Sequence, residues 1–393
     1  MSEETIKEPG KKLNVVVTTN SIIHYTVHFC EAFLADERVE HVYLIICEDL
    51  GKEYRTLGLS ETAGNNNLQI IDSRKEPQRV KEIIDDCDIL IGQYYLADFF
   101  QDRINAGKMV FILSERIFKQ YDTPPVNLYK NTARWFKYKQ MIAKNHYQRD
   151  NVFFLTIGRY AAEDYLRLGI RRTQILRCAY FPALSKVKER QYYQNGIIRL
   201  LWIGRFVSWK KPEYAIETYR FLAKKGYSVE LTMVGNGTEE DNLKQLAGGD
   251  PHIRFTGGLP EDKVRREMQN SDIYLFTSTQ GEGWGLVLSE AMSEGMVPIA
   301  SASAGATTEL VEDGKNGYIY YQDHAAELKE KTELLAAHPE KLAEMGNNAR
   351  RTIEEQWNAE NATSRLIDQY LYIQEHNAAK ALEGVAGFPS SGK

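Results

Sequence analysis

The sequence predicts an α/β protein made of two doubly wound, Rossmann-like domains that face each other across a cleft. Short apolar runs typical of buried strands alternate with helical patterns along the chain. The alternation occurs twice, on either side of a polar segment at Arg190–Gly196 that ends in Asn-Gly and is typical of a linker. A length of 393 residues also favours two domains over one.

The first series, residues 1–195, is expected to form the N-terminal domain. Helical patterns at His24–Leu34, Arg79–Asp85 and Tyr95–Ile104 lie between its strands. Such alternation indicates a parallel sheet with helices on both faces. The predicted strands are Leu13–Thr19, Val42–Cys47, Leu68–Ile71, Ile89–Ile91, Met109–Leu113 and Val152–Ile157.

The second series, residues 196–352, is expected to form the C-terminal domain. Ligands of such sheets bind beyond the carboxyl ends of the strands, so the cleft is the expected binding site. A long helical stretch is predicted at about Pro339–Leu382, and residues 353–393 are expected to end in a small, polar, disordered tail. The predicted strands are Arg199–Ile203, Val229–Val234, Ile253–Thr256, Ile273–Thr277, Val297–Ala300 and Tyr318–Tyr321, and the predicted helices are Glu213–Lys225, Glu239–Leu246, Asp262–Asn270 and Leu286–Glu294.

The composition, with 43% hydrophobic and 26% charged residues, is that of a globular protein that buries a sizeable core. A net charge of −5 argues against a nucleic-acid-binding surface over the whole molecule. Residues Met1–Lys12 lack the apolar core of a signal peptide, and no stretch approaches the roughly 18 apolar residues that span a membrane. Four scattered cysteines are expected to be buried, reduced thiols of a cytoplasmic protein.

One stretch of the second series, Thr277–Gly295, combines a glycine-rich loop with the start of a helix. It follows a predicted strand directly, and its loop contains Gly281, Gly283 and Gly285. These glycines let the backbone approach a ligand closely, and the helix from Leu286 points unpaired N–H groups at that ligand. The arrangement favours a phosphate group.

Two carboxylates, Glu282 and Glu290, flank this phosphate site. Glu282 belongs to the loop, whereas Glu290 lies about one turn inside the helix, roughly 6–8 Å along it at ~1.5 Å per residue. A nucleotide-sugar, with a central diphosphate and hydroxyl-bearing rings at both ends, would fit between them. Two glutamates at this spacing are more often solvated helix residues, so the functional interpretation depends on the strand and the glycine loop around them.

This segment resembles the Glu-x7-Glu signature of the family 4 retaining glycosyltransferases, which have the GT-B fold. The likeness extends over roughly Ile198–Tyr320, and the first half matches only in its pattern of strands and helices. The resemblance implies metal-independent transfer of a sugar from a UDP- or GDP-sugar to a lipid-linked or polysaccharide acceptor, as in polysaccharide biosynthesis. It also implies that Glu282 holds sugar hydroxyls, that Glu290 holds the ribose, and that the C-terminal helices cross back onto the first domain.

Two cations are expected at the carboxyl end of a neighbouring strand. Arg205 follows Ile203-Gly204, and Lys210 comes five residues later. Most such cations are solvated surface residues, but the resemblance implies that this pair binds the donor diphosphate. Arginine offers a fork for two oxygens and lysine a point charge, and with the helix N-terminus they would replace a metal ion. The expected donor-binding set is completed by Gly257, which would lie at the base, and by Gly283, Trp284, Gly285 and Leu286.

The acceptor side is expected to depart from the family pattern. Relatives often have Gly-Gly after the first strand and a histidine after the strand at Met109–Leu113. This chain has Asn20 and Ser114-Glu115 at those places, so Asn20, Ser114, Glu115 and the nearby His24 are the expected acceptor-side residues. His24 and His28 share a helix face but lack a third ligand, so they are not expected to bind a metal.

The segment Asp86-Cys87-Asp88 formally fits the Asp-x-Asp metal motif of the other main glycosyltransferase fold. It comes immediately before the apolar strand Ile89–Ile91, where an Asp-rich turn that ends a helix is expected. No other carboxylate cluster lies near it in the sequence to complete a metal site. A structural turn is therefore the prediction.

The segment Asn127–Arg149 is basic in a protein that is acidic. It contains six basic residues, no acidic residue and five aromatic residues, which are costly to expose. A solvated surface helix is the plain interpretation. The sharper hypothesis is a helix that lies on an anionic membrane, or a site for a diphosphate-linked lipid acceptor.

Three alternatives to an active transferase remain open at this point. An NAD-dependent enzyme would need Gly-x-Gly-x-x-Gly after the first strand, and Val15–Tyr25 contains none. A catalytically inactive GT-B subunit that binds a partner would account for the unusual Asn20 and Ser114-Glu115. A GT-B phosphorylase or epimerase shares the fold but explains the Glu282 and Glu290 context less well.

Overall fold

The computed structural model describes residues 11–20, 24–47, 67–119, 124–185, 190–321 and 325–376, which form two parallel β-sheets. The first sheet has the strand order β3-β2-β1-β4-β5-β6-β7. Its strands are nearly continuous apolar runs because helices cover both faces of a parallel sheet. They are β1 (Leu13–Thr19), β2 (Val39–Ile46), β3 (Leu68–Asp72), β4 (Ile89–Gln93), β5 (Val110–Ser114), β6 (Val152–Ile157) and β7 (Ile175–Cys178).

The second sheet has the strand order β10-β9-β8-β11-β12-β13. In the first sheet β1 lies between β2 and β4, and in the second sheet β8 lies between β9 and β11. The winding direction therefore reverses beside β1 and beside β8. Such a switch point opens a crevice at the carboxyl ends of the strands. The strands are β8 (Ile198–Ile203), β9 (Val229–Val234), β10 (Ile253–Gly257), β11 (Ile273–Phe276), β12 (Val297–Ser301) and β13 (Tyr318–Tyr320).

The helices cover the sheets through their apolar faces. The helix after β8, for example, buries Ala215, Ile216, Tyr219 and Leu222, which recur at helical spacing. Of the helices described, none has the length and apolar character that crossing a lipid bilayer requires. The helices are α1 (His24–Ala35), α2 (Pro77–Asp86), α3 (Gln101–Asn105), α4 (Pro124–Lys144), α5 (Arg159–Arg167), α6 (Glu213–Lys224), α7 (Glu240–Ala247), α8 (Glu261–Asn270), α9 (Leu286–Ser293), α10 (Thr307–Leu310), α11 (Ala325–Ala337), α12 (Lys341–Arg351) and α13 (Ala359–His376).

All twelve predicted strands are present, and Leu13–Thr19, Val152–Ile157 and Val229–Val234 have the predicted bounds. Strand β7 and helices α5, α10 and α11 were not predicted. Strand β7 escaped prediction because it has only four residues and lies at the edge of the sheet, and so short a run shows little periodicity.

Two helical predictions are wrong in their continuity. The stretch Tyr95–Ile104 is a short 3₁₀ turn followed by α3, because Phe100 leaves the helical conformation and its ring packs against Gly92. The stretch Pro339–Leu382 contains α12, a π-helical turn and α13. The chain changes direction there at the buried Trp357, and the part of the stretch beyond residue 376 lies outside the described residues.

Helix α13 returns to the first sheet, as the resemblance implied, and packs against α1. Arg38, just before β2, donates a hydrogen bond of 2.5 Å to Asp368 and one of 2.9 Å to the Ser364 hydroxyl. The last described helix therefore ties the end of the chain to its beginning.

The Asp-rich turn before β4 has a structural role. The Asp88 carboxylate accepts a hydrogen bond of 2.9 Å from the backbone N–H of Asn14 at the start of β1, and Lys11 lies 3.9 Å from it. The four cysteines are free, as expected, and three of them are buried.

Candidate active site

The loop between β11 and α9 has the backbone geometry that a phosphate site needs. Gly285, the residue before α9, has φ +93°, and a methyl group there would overlap the ring of Phe276. Only glycine suits such a conformation at such a close approach. No described side chain caps α9, so the N–H groups of Leu286 and Val287 in its first turn have no helical partner.

Glu282 and Lys210 form a preformed ion pair in this corner. The Lys210 ammonium lies 2.6 Å from Glu282 Oε2, and the two side chains are only 14% and 15% exposed. The Ser278 hydroxyl donates a second hydrogen bond of 3.1 Å to the same carboxylate oxygen. The pair thus places an acid and a cation beside the start of α9.

The position of Lys210 is fixed through its backbone. The Thr277 hydroxyl at the end of β11 donates a hydrogen bond of 2.6 Å to the Lys210 carbonyl oxygen. The same hydroxyl accepts one of 2.8 Å from the indole N–H of Trp202 in β8. The carboxyl ends of β8 and β11 are therefore joined by hydrogen bonds directly beneath the ion pair.

Arg205 lies at the end of β8 and, unlike Lys210, is exposed. Its guanidinium has no hydrogen-bond or ion-pair partner among the described residues, although its carbonyl oxygen accepts a hydrogen bond of 2.9 Å from the Val207 N–H. Gly257 ends the neighbouring strand β10 with φ +70°, and its carbonyl oxygen accepts a hydrogen bond of 2.9 Å from Gly235. The guanidinium is thus free to meet a ligand at the edge of the sheet.

Glu290 lies on α9, about one turn inside the helix, and is half-buried. Burial, together with the negative charges of Glu282 and Glu290, raises the pKa of Tyr274 well above its usual value. Both carboxylates therefore lie near the buried Tyr274 side chain in β11.

Trp284, an expected donor-binding residue, has its side chain in the interior. It is 1% exposed, its ring centroid lies 5.8 Å from that of Trp357, and it packs against Gly158 at the end of β6. Because Gly158 belongs to the first sheet, the indole joins the two halves of the molecule. It is not presented at the cleft surface.

A cavity of about 420 Å³ lies at the carboxyl edge of the first sheet. Asn20, Ser114 and Glu115, three of the expected acceptor-side residues, line it. The fourth, His24, begins α1, and its side chain lies outside the described part of the structure. Sequence reasoning therefore located this cavity through the residues that follow β1 and β5.

Glu115 connects this cavity with the glycine loop of the second sheet. A methyl group on Gly283 would lie 2.5 Å from Glu115 Oε2, so the two chain segments are in close contact. Lys119 forms an ion pair of 2.8 Å with Glu115, and burial together with Glu115 raises the pKa of Tyr180 well above its usual value. The cavity consequently opens next to the loop that precedes α9.

Ser114 is placed in the wall rather than at the surface of the cavity. It is 3% exposed, and its hydroxyl accepts a hydrogen bond of 2.6 Å from the Tyr165 hydroxyl. It also donates one of 3.1 Å to the Glu115 carbonyl oxygen. The Ser114 hydroxyl therefore already donates one hydrogen bond and accepts one within the protein.

Sequence reasoning missed most of the cavity wall. Five tyrosines from four segments of the chain and two arginines contribute to it. A signal existed only for Arg134 and Tyr138, which lie in the basic, aromatic segment on α4. The missed or unassigned residues are Tyr25, Tyr94, Tyr95, Arg116, Arg134, Tyr138 and Tyr180.

Comparison with known proteins identifies relatives of the second half of the chain. Residues 189–352 match the family model of the glycosyl transferases group 1. An uncharacterized glycosyltransferase of Methanocaldococcus jannaschii is 34% identical over 177 residues, which are 44% of this chain and 44% of that protein. A phosphatidyl-myo-inositol mannosyltransferase of Mycobacterium leprae is 28% identical over 170 residues, 42% of this chain and 45% of that protein. The chain spans less than half the length of these curated relatives.

The likeness of the fold extends over nearly the whole chain. The crystal structure of Anabaena HepE in complex with UDP and glucose superposes with a TM-score of 0.64 and 15% sequence identity. The superposition covers 92% of this chain and 99% of that one. The predicted GT-B architecture, two parallel sheets facing across a cleft, is thereby confirmed.

Proposed function

We propose that this protein is a glycosyltransferase, because residues 189–352 match the family model of the glycosyl transferases group 1. It moves a sugar from a UDP- or GDP-sugar to a glycan or lipid-linked acceptor, as in polysaccharide biosynthesis. Configuration at the transferred carbon is retained, and neither a metal ion nor another cofactor takes part. The observation that carries the proposal is the corner where the Lys210–Glu282 pair, the exposed Arg205 and the open start of α9 meet.

The donor diphosphate binds at the start of α9 in this proposal. Backbone N–H groups and the helix dipole favour an anion there, and Arg205 adds a guanidinium with no competing carboxylate among the described residues. Glu282 then receives hydroxyls of the transferred sugar, and Glu290 those of the ribose. Gly257 leaves room for the base at the edge of β10.

The same groups supply the catalytic effect. When the bond from the sugar to the diphosphate breaks, negative charge grows on the leaving phosphate. Arg205, Lys210 and the N–H groups after Gly285 are aimed at that charge, and each such donor contributes roughly 2.7–4 kcal/mol by analogy with oxyanion holes. The acceptor hydroxyl attacks from the face that the phosphate leaves, and the phosphate takes its proton.

The proposal is tested by thermal unfolding with a panel of UDP- and GDP-sugars, followed by assays of nucleotide release. A true donor at 100 times its Kd stabilises the protein by about 2.7 kcal/mol through mass action. We predict that Arg205→Ala lowers turnover about 10²–10³-fold without unfolding the protein, since Arg205 is exposed.

The matched control is Lys224→Ala. Lys224 is an exposed cation at the end of α6, which is the opposite edge of the second sheet, so normal turnover is expected. Near-normal turnover of Arg205→Ala would contradict the donor site. Donor binding with neither transfer nor hydrolysis would indicate an inactive subunit instead.

We further propose that α4 rests on an anionic membrane at the inner face of the cell, where a lipid-linked acceptor would be found. Leu128, Tyr129 and Phe136 are 72%, 78% and 58% exposed, although such side chains are costly to leave in water. The exposed Lys130 and Lys137 lie on the same helix. Apolar side chains that enter the interface beside basic ones describe a peripheral membrane helix.

Liposome flotation tests the membrane proposal. Vesicles with anionic lipid should retain the protein far better than neutral vesicles, because each lysine near the surface contributes about 1 kcal/mol. The double variant Lys130→Gln/Lys137→Gln should reduce this retention, whereas Lys224→Gln should not. Equal retention by neutral and anionic vesicles would refute the proposal.

A further inference from the structure

The cavity at the carboxyl edge of the first sheet is rich in tyrosine. The ring of Tyr94 lies 5.4 Å from that of Tyr138 on α4, and the ring of Tyr25 lies 4.6 Å from that of Tyr180. Tyrosine presents an apolar face and a polar tip, so a cluster of this kind suits a ring that has apolar faces and hydroxyl groups at its rim. A sugar ring has that chemistry.

The charged side chains of the cavity are unbalanced. Arg116, Lys119 and Arg134 line it, and Glu115 is the single carboxylate among the described lining residues. Lys119 is neutralised by Glu115 at 2.8 Å. Neither guanidinium forms an ion pair with a described residue. The buried Asp164 carboxylate partly offsets the charge of Arg116, but its hydrogen bonds come from backbone N–H groups.

These two arginines are held only by neutral oxygens. Arg134 donates from one terminal nitrogen to the Lys119 carbonyl oxygen at 3.1 Å and to the Asn131 side chain at 3.2 Å. Its other nitrogens have no partner in the described structure.

Arg116 lies over the ring of Tyr160 at 4.6 Å, and its Nε is buried with no partner among the described residues. Burial lowers the pKa of Arg116, which reports how poorly its charge is solvated. A half-buried cation that lacks a direct ion pair is costly, so an anion in this cavity would be stabilising.

Together these observations point to the acceptor, and we infer that the cavity binds a sugar ring carrying an anionic group, either a carboxylate or a phosphate. The tyrosines contact the ring, and the guanidinium forks of Arg116 and Arg134 bind the anion. Glu115 lines the cavity and also touches Gly283, so the bound ring lies beside the donor loop. The inference rests on the proposed transferase function.

Calorimetric titration with glucose, glucuronate, glucose 6-phosphate and inorganic phosphate tests the inference. Glucuronate or glucose 6-phosphate should bind at least ten-fold more tightly than glucose, and the comparison of the two identifies the anion. Inorganic phosphate should bind more weakly than glucose 6-phosphate, because it lacks the ring. The inference would be overturned if glucose and both anionic sugars bound with equal affinity. It would also be overturned if inorganic phosphate and glucose 6-phosphate bound with equal affinity.

Variants connect the preference to the cavity. Arg134→Gln should bring the anionic sugars to within about three-fold of glucose, whereas Arg134→Lys should keep most of the preference because the charge remains. Lys224→Gln removes an exposed cation at the end of α6, away from the cavity, and should change nothing. If Arg134→Gln fails to fold, Arg116→Gln provides the same test. A preference that survives both glutamine variants would overturn the assignment.

Titration of UDP and GDP on the same samples separates this inference from the proposed function. Nucleotide binding without any charge preference among the sugars would overturn the acceptor inference alone. A charge preference that depends on Arg134 in a protein that binds no nucleotide would support the cavity assignment and contradict the transferase.

Discussion

The two sheet edges that face the cleft are built by different means. At the second sheet, one short segment supplies a glycine loop, a helix start and Glu282, whose ion pair with Lys210 is about 85% buried on both sides. At the first sheet, the cavity wall is assembled from side chains of several elements, and its pair, Glu115 with Lys119, is 35% and 25% exposed. If the proposed function holds, the donor phosphate site is made largely of backbone, whereas the acceptor cavity is made of side chains.

Of the substitutions that test this contrast, Gly285→Ala is expected to have the largest effect. Alanine at φ +93° costs about 1–2 kcal/mol, and overlap with the buried Phe276 ring adds about 1–3 kcal/mol. The free energy of unfolding should fall by the sum, about 2–5 kcal/mol, and nucleotide affinity should fall with it. Chemical denaturation and a UDP titration measure the two effects.

Gly226→Ala is the matched control. Gly226 has φ +89°, but open space surrounds the position of the added methyl group, so only the backbone cost applies. If the two variants lost the same stability, close packing of the donor loop against β11 would play no part in forming the site.

The next effect compares the two ion pairs. Lys210→Met leaves Glu282 largely buried without its cation, so we expect a loss of about 2–3 kcal/mol, somewhat below the ~3–5 kcal/mol for full burial. Lys119→Met breaks a more exposed pair and should cost less than about 1 kcal/mol. If the two variants lost the same free energy of unfolding in urea denaturation, the buried ion pair would contribute no more stability than the exposed one, contrary to the contrast between the two sheet edges.

A third effect, smaller than the loss from Lys210→Met, concerns Ser114 in the cavity wall. Ser114→Ala leaves the buried Tyr165 hydroxyl without its acceptor and should lower the free energy of unfolding by about 1–2 kcal/mol. The double variant Ser114→Ala/Tyr165→Phe removes both partners and should recover much of that loss. If the double variant recovered none of the lost stability, Ser114 would stabilise the protein by some means other than this hydrogen bond.

Local patterns made the fold and the donor corner predictable. The strands are continuous apolar runs because they are covered on both faces, and Gly283, Glu282 and Gly285 lie within four consecutive residues. What escaped prediction depends on contacts between distant residues. Trp284 is drawn into the interior by Trp357, and Ser114 is engaged by Tyr165, 51 residues away. The cavity tyrosines are similarly scattered, so no local spacing indicates them.

A crystal structure with UDP or GDP bound tests the central claim most directly. The account predicts diphosphate oxygens about 2.7–3.2 Å from the backbone N–H groups at Leu286 and Val287, with Arg205 and Lys210 turned towards them and Glu290 at the ribose. A nucleotide bound elsewhere, with this corner empty at saturating ligand, would contradict it.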